Sequence, residues 1–247
     1  MYTKIMNMDI MEGLKNISNN SIECIFIDPP YNLGKKYKET TDYWEEEEYL
    51  QWCYEWLELA LKKLKKNGSI YFMCSTQYYA YFDIFLRERL NILSRIIWHY
   101  DSSGVQAKKH FGSLYEPIIF AVVNKNNYIF NYKDIMVETN TGAKRKLVDY
   151  RKNPPKLYNK EKVPGNIWYF PRVRYRMKEY VNHPSQKPEI LLERIVKVST
   201  NEGDTVLDLF SGSFSLGIVC KRLKRNYIGI EKSKEYCMNG EKRINDI

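Results

Sequence analysis

The stretch CIFIDPPYNLG, residues 24–34, carries four largely apolar residues straight into an acid, two prolines and a tyrosine. With Ser21 to Glu23 in front, the apolar and β-branched run reads as a buried strand. The prolines hold φ at about −65° and remove two backbone donors, so the strand ends on a rigid turn. A carboxylate at that point is costly to bury unless something pairs with it. A plain strand end with a proline turn explains the same letters, so the rest of the chain has to decide.

Downstream, residues 43–66 have helical spacing. Leu50, Cys53, Leu57, Ala60 and Leu64 share one face, acids cluster at Glu45–Glu48, and lysines cluster between 62 and 66. That order complements a helix dipole, with Asn67-Gly68 as the expected stop. Strands over 69–74, 92–100 and 117–123 and a helix over 77–90 complete a first block. A second block opens at HPSQKPEILLERIVKVS, residues 183–199, where Pro188 suits the first turn of a helix. A strand over 204–210, a helix over 215–224, a strand over 226–231 and a helix over 233–244 follow. This alternation predicts one mostly parallel α/β sheet built by both blocks together. The expected organisation is 1–123, then an insertion over 124–182 with weak periodicity, then 183–247.

A chain of 247 residues with 44% hydrophobic residues has material for one sizeable core. No apolar run approaches the roughly 20 residues of a membrane span. The start, MYTKIMNMDIMEG, lacks the order of a signal peptide, and the expectation is a cytoplasmic protein with no membrane partner. Cys24, Cys53, Cys74, Cys220 and Cys237 are scattered without any Cys-x-x-Cys pair, and only three histidines are present. Neither a disulfide framework nor a metal site is indicated, and most of these cysteines read as small buried hydrophobes. The net charge of +9 is concentrated. Lys144 to Lys178 holds twelve basic residues against Asp149 and Glu161, so the rest of the chain is near neutral. A basic segment on a neutral body points to a polyanion, with a solvated basic loop as the plainer reading.

The second informative stretch is VLDLFSGSFSLG, residues 206–217: strand, acid, short glycine-bearing loop, helix. Such a turn presents backbone amides and a helix start to a small molecule. A phosphate-binding P-loop is excluded, because Ile218 and Val219 stand where Lys and Ser or Thr belong. A dinucleotide fingerprint fits poorly, because Phe214 occupies a glycine position. A nucleoside without phosphates remains, for which Asp208 is an acceptor or a counter-charge. Glu231, ending the next strand, is placed to accept from both ribose hydroxyls.

Taken together, the chain resembles the beta group of amino-type DNA methyltransferases, which use S-adenosylmethionine. The order is DPPY first, target-recognition insertion next, cofactor loop last. The likeness is carried by NMDIMEGLKNISNNSIECIFIDPPYN, HPSQKP, DLFSGSFSLG and YIGIEKSKEY, and covers nearly everything outside 124–182. It implies a Rossmann-like methyltransferase fold in which Asp28, Pro29, Pro30 and Tyr31 are catalytic. It further implies that Asp208, Phe210 and Gly212 border the methionine part of the cofactor, that Asp28 and Ser213 also contact the cofactor, and that Glu231 holds the ribose. Asp9 would contact the adenine end, and Ser185 and Lys187 the methionine end. Phe214 departs from the family's second glycine, and a bulky residue there is expected to restrict approach to the cofactor.

The chemistry explains why these residue types are wanted. An adenine amine is a poor nucleophile because its lone pair is delocalised into the ring. Asp28 and the Pro29 carbonyl, aimed at its two hydrogens, favour a pyramidal nitrogen and stabilise the transition state selectively. Tyr31 would offer a flat face to a base flipped out of the duplex. Methylation at cytosine carbon 5 needs a cysteine after a proline, and no cysteine here follows one. Cytosine-N4 enzymes more often carry Ser where Asp28 stands, and related RNA enzymes Asn, so adenine N6 is the expected target.

Within the insertion, Arg145, Lys146, Arg151, Lys152, Arg172, Arg174 and Arg176 are the candidate DNA contacts. The glycine-flanked DSSGVQAKKHFGS, residues 101–113, reads either as a loop closing over the target base or as an ordinary surface loop. A homodimer and a cognate restriction endonuclease are the partners the resemblance suggests beside DNA. Two other classes compete with this reading: a nucleic-acid binding module on a decayed methyltransferase fold, and a nicotinamide oxidoreductase.

Overall fold

The computed structural model describes residues 1–35, 42–101, 108–139 and 146–247. The first block comprises β1 (Thr3–Asn7), α1 (Ile10–Lys15), β2 (Ile22–Ile27), α2 (Glu46–Leu61), β3 (Leu64–Met73), α3 (Tyr79–Arg87), β4 (Asn91–His99) and β5 (Tyr115–Val122). Four short strands follow: β6 (Val137–Glu138), β7 (Val148–Asp149), β8 (Lys156–Leu157) and β9 (Glu161–Lys162). Then come β10 (Ile167–Tyr169), α4 (Glu189–Ser199), β11 (Thr205–Asp208), α5 (Ser215–Arg222), β12 (Asn226–Glu231) and α6 (Lys234–Asn245).

The main sheet runs β1-β12-β11-β2-β3-β5-β4-β10. Among the described residues, β5 alone is antiparallel to its neighbours in this sheet, so the mostly parallel sheet made by both blocks stands as expected. Its two faces are covered separately. Ile25, Ile27, Ile70 and Phe72 pack with residues of α1, α2 and α3. Their alternating neighbours Cys24, Phe26, Tyr71 and Met73 pack with residues of α4, α5 and α6. Cover on both faces is why β2 is buried at every position and shows no polar alternation. All five cysteines are free and buried. No helix among the described residues is long and apolar enough to cross a membrane.

Three local features differ from expectation. The helix predicted over 43–66 stops at Leu61, and Leu64 already belongs to β3. Lys62 and Lys63 carbonyls accept from the amides of Asn20, Ser21 and Ile22, and Leu64 pairs with Ile22. Ladder pairing therefore overrides the helical spacing, and Asn67-Gly68 lies inside the strand beside a register shift rather than at a helix stop. Thr3–Asn7 adds an unanticipated edge strand, parallel to β12. Within 124–182, β6 pairs with β9 and β7 with β8, while β10 joins the main sheet beside β4.

Candidate active site

β2 and β11 are adjacent parallel strands, with Asp208 opposite Phe26, so Asp28 and Asp208 emerge at the same sheet edge. From this pair the chain proceeds outward in opposite directions, through β3 on one side and β12 on the other. Such a switch point at the carboxyl ends of parallel strands opens a crevice. Here it is a cavity of about 400 Å³, lined by Asp9, Asp28, Pro29, Pro30, Ser185, Phe210, Gly212 and Glu231 among others. A recess of about 30 Å³ adjoins it, bordered by Asp208, Ser213 and Lys187. The structure thus gathers every expected cofactor residue around one crevice.

Each acid is held by a different device. Asp9 caps α1, its Oδ1 accepting from the Met11 amide at 2.9 Å. Glu231 accepts from the Gly212 amide at 2.9 Å and the Ser233 amide at 2.8 Å, which locks the glycine loop to the end of β12. Asp208 accepts from the Tyr227 hydroxyl at 3.0 Å through Oδ2, while its buried Oδ1 has no hydrogen-bond partner. Burial pushes the Asp208 carboxyl up to about 7, with the Tyr227 hydroxyl and the Phe210 amide opposing the effect and Asp28 and Glu231 adding to it. Such an orphaned acceptor beside a cavity marks a group that a ligand would complete.

Gly212 is in the left-handed region, at φ +46°, and a Cβ there would lie 2.7 Å from His183 Nε2. The loop can approach this close to the imidazole only as glycine. His183 also stacks edge-on with Tyr236 at 4.7 Å. Burial, with Lys187, Lys35 and Arg243 nearby, lowers its pKa to about 4, so it is neutral near pH 7. Aromatic walls complete the cavity: Trp44 stacks on Trp52 at 5.4 Å, and Trp52 meets Phe210 edge-on at 6.0 Å. Acids at two ends and aromatic faces between suit a flat base, a ribose and a positive charge. These residues fit S-adenosylmethionine. Among the described residues, no group of side chains is arranged to hold a metal ion.

The restriction expected from Phe214 does not arise. Phe214 is left-handed at φ +59°, but its ring is fully buried behind the loop, edge-on to Tyr227. Gly240 of α6 makes the room, since a Cβ there would lie 2.2 Å from the Phe214 ring. The missing glycine of the loop is offset by a glycine one helix away.

The DPPY turn is pinned on several sides. The Pro30 carbonyl accepts from the Tyr49 hydroxyl at 2.7 Å, and the Tyr31 amide donates to Asp42 at 3.2 Å. Tyr31 is itself buried, and its hydroxyl lies 2.7 Å from Asp28 Oδ1 and 3.0 Å from Glu116 Oε2. Its ring is flanked by the ammonium groups of Lys187 at 5.4 Å and Lys35 at 5.9 Å. Lys187, expected at the methionine end, turns its ammonium onto Asp28 Oδ2 at 2.6 Å, with Ser185 Oγ at 3.2 Å. Burial pushes the Asp28 carboxyl up, Lys187 pulls it down, and Glu116 pushes it up again.

Glu116, His183, Trp44, Trp52 and Tyr236 join the site without having been expected there. His183 opens HPSQKP, so that motif contained a signal for it. Glu116 had none: it reaches the site because β5 is antiparallel and begins at the edge where β2 and β3 end. Of the basic candidates, Arg145 lies outside the described residues, as do residues 102–107 of the 101–113 loop. Lys146, Arg151 and Lys152 are exposed around β7 and β8, where Arg151 pairs with Asp149 at 2.9 Å. Arg172 is half-buried over Tyr100 at 5.0 Å. Arg174 is exposed and donates to the Asp101 carbonyl at 2.9 Å, and Arg176 is exposed beside Tyr175 at 5.7 Å.

The fold and crevice define an α/β enzyme that places a nucleoside cofactor beside a carboxylate-proline turn. Residues 22–242 match the family described as DNA methylase, the N6/N4 type, and the chain belongs to that family. It is 50% identical over 240 residues to the DNA adenine methyltransferase YhdJ of Escherichia coli (strain K12), covering 97% of this chain and 82% of that one. It is 35% identical to the Type II methyltransferase M.HpaI of Haemophilus parainfluenzae, covering 98% and 74%. Among solved structures, the M1.HpyAVI–SAM complex aligns with a TM-score of 0.69 at 24% identity, over 98% of this chain and 99% of that one. The cytosine-N4-specific PvuII DNA methyltransferase aligns at 0.77 with 18% identity, over 100% and 88%, a likeness of fold.

Proposed function

We propose that this protein transfers a methyl group from S-adenosylmethionine to the N6 amine of an adenine flipped out of DNA. The observation that carries the reading is the meeting of Asp28 and Pro29 with Glu231 and Gly212 in one crevice. The adenine assignment is supported by the relative named a DNA adenine methyltransferase and by an acid at position 28. When bound, S-adenosylmethionine supplies an electrophilic methyl group. Glu231 and Asp9, which line the cavity with Trp44 and Trp52, would hold the polar edge of the nucleoside, and the two indoles would offer it a flat apolar wall.

Asp28 and the Pro29 carbonyl accept the two hydrogens of the target amine and draw its lone pair out of the ring plane. Burial raises the Asp28 carboxyl and Lys187, 2.6 Å from Oδ2, opposes that push, which favours the ionised form that an acceptor of amine hydrogens requires. Tyr49 and Asp42 hold the turn from both sides, so its acceptors need little reorganisation. Arg172, Arg174, Arg176, Lys146, Arg151 and Lys152, together with Arg145, meet the phosphates and base edges of DNA from segment 124–182. The stacking face expected of Tyr31 is closed in this structure, where the ring is buried and flanked by the Lys35 and Lys187 ammonium groups, so the extruded base would have to displace one of them to rest on it. The reading also carries a homodimer, a cytoplasmic location and a restriction endonuclease of matching specificity, the last supported by the Type II designation of M.HpaI.

Sequencing modified bases in DNA from cells expressing the protein tests the reading, with Asp28→Ala as the control. N6-methyladenine in one sequence context, absent with the variant, is the expected result. N4-methylcytosine would reassign the base, and no modified base would remove the assignment.

A further inference from the structure

Tyr31 has one hydroxyl proton and two carboxylate acceptors, Asp28 Oδ1 at 2.7 Å and Glu116 Oε2 at 3.0 Å. Methylating an amine leaves nitrogen with four bonds and a positive charge, so a proton has to depart before a neutral product forms. Asp28 is the proposed acceptor of an amine hydrogen, but it is half-buried and already committed to Lys187. A proton left on Asp28 would cost that ion pair and the acceptor needed for the next turnover. A second carboxylate, one hydroxyl away, relieves this.

We infer that Glu116 is the terminal proton acceptor of the reaction, loaded from Asp28 through the Tyr31 hydroxyl. The inference rests on the methyltransferase reading above. After methyl transfer, an N–H bond breaks with its electrons staying on nitrogen, and Asp28 takes the proton. The proton passes from Asp28 Oδ1 to the Tyr31 oxygen as the Tyr31 hydroxyl proton moves to Glu116 Oε2. Asp28 is again a carboxylate, Tyr31 again a phenol, and Glu116 carries the one proton removed.

The surroundings of Glu116 suit this role. The Tyr100 hydroxyl donates to Glu116 Oε1 at 3.4 Å, and Lys187 stands 3.5 Å from Oε2. Arg172 and His183 border the same small chamber as Glu116, while Lys35 and the Cys74 thiol lie within its electrostatic reach. Lys187, Lys35 and Arg172 therefore face the two carboxylates, and His183 is neutral. Glu116 stands behind Tyr31 and does not line the cofactor cavity, so it acts through Tyr31 and is a positioning and relay group.

The test is steady-state, multiple-turnover methyl transfer to unmethylated plasmid DNA across pH, with the first turnover followed separately as the reference, for wild type, Glu116→Gln, Glu116→Asp and Tyr31→Phe. Glu116→Gln should lower the steady-state rate about a hundredfold or more, roughly the scale of a lost acid–base group, and displace the acid limb of the pH profile. Calorimetric titration with S-adenosylhomocysteine should remain within threefold of wild type. Glu116→Asp, which keeps a carboxylate, should recover the limb. Tyr31→Phe should mimic Glu116→Gln, and the double variant should be no slower than either. Should Glu116→Gln fail to fold, Tyr31→Phe decides: an unchanged rate and profile overturns the relay. Wild-type rate and profile in Glu116→Gln overturns it too, with the methyltransferase reading intact. A wild-type protein that transfers no methyl group defeats that reading and the relay with it.

Discussion

Asp208→Asn separates the cost of the site from its use. Asp208 is buried, shares its crevice with Asp28 and Glu231, and has an unpartnered Oδ1. Its folded pKa of about 7 stands above the ordinary 3.8, so the folded state holds a proton that the unfolded state has released. Stability therefore falls as pH rises between those two values and levels off above the upper one. The slope is at most about 1.4 kcal/mol per pH unit and halves near the upper value, so this one group should cost about 2 kcal/mol between about pH 5 and pH 7. Asparagine cannot ionise and keeps an oxygen for the Tyr227 hydroxyl.

Urea unfolding of both proteins across this range, without cofactor, gives the difference directly. Contributions common to both, including the opposite acid-side loss from neutral His183, cancel in the comparison. The variant should gain on wild type steadily with pH and hold its advantage above about pH 7, while losing affinity for S-adenosylhomocysteine. Parallel stability profiles, within about 0.5 kcal/mol at every pH, would refute the argument that Asp208 is ionised against burial.

Two further outcomes concern the packing behind the cofactor loop, and a third the basic segment. Phe214→Ala should destabilise the protein by about 3–5 kcal/mol yet leave cofactor affinity within a few-fold, because the ring fills core and not cavity. Gly240→Ala should cost about 1–3 kcal/mol by crowding the same ring, and the two changes together should cost less than their sum; strict additivity in a denaturant series would argue against that packing. Arg174→Ala with Arg176→Ala should weaken DNA binding and flatten its salt dependence by about 0.9 in log–log slope for each phosphate no longer neutralised. An unchanged slope in fluorescence anisotropy would take these arginines off the DNA.

Much of the site was readable because its pieces are local. A buried strand running into Asp-Pro-Pro-Tyr, and another running into an acid and a glycine loop, are patterns of a few residues set by strand burial and turn geometry. The helix over 43–66 ends earlier than its spacing predicts, because lysines and a correctly spaced Leu64 mimic a helix terminus. Only pairing with Ile22, roughly forty residues away in sequence, turns Leu64 into a strand residue. Glu116 carried no local mark, since a glutamate before a proline at a strand start resembles any other.

The sequence by itself determined the order of pieces along the chain: carboxylate-proline turn first, basic segment next, glycine loop last. It also determined that these would stand at strand ends, because period, turn residues and burial act over short distances. Tertiary structure alone decided which groups meet. Sheet order put Asp28 beside Asp208, an antiparallel strand delivered Glu116 to Tyr31, and Gly240 took the Phe214 ring away from the cofactor crevice. Those meetings depend on register and packing between distant segments, which no short stretch of residues encodes.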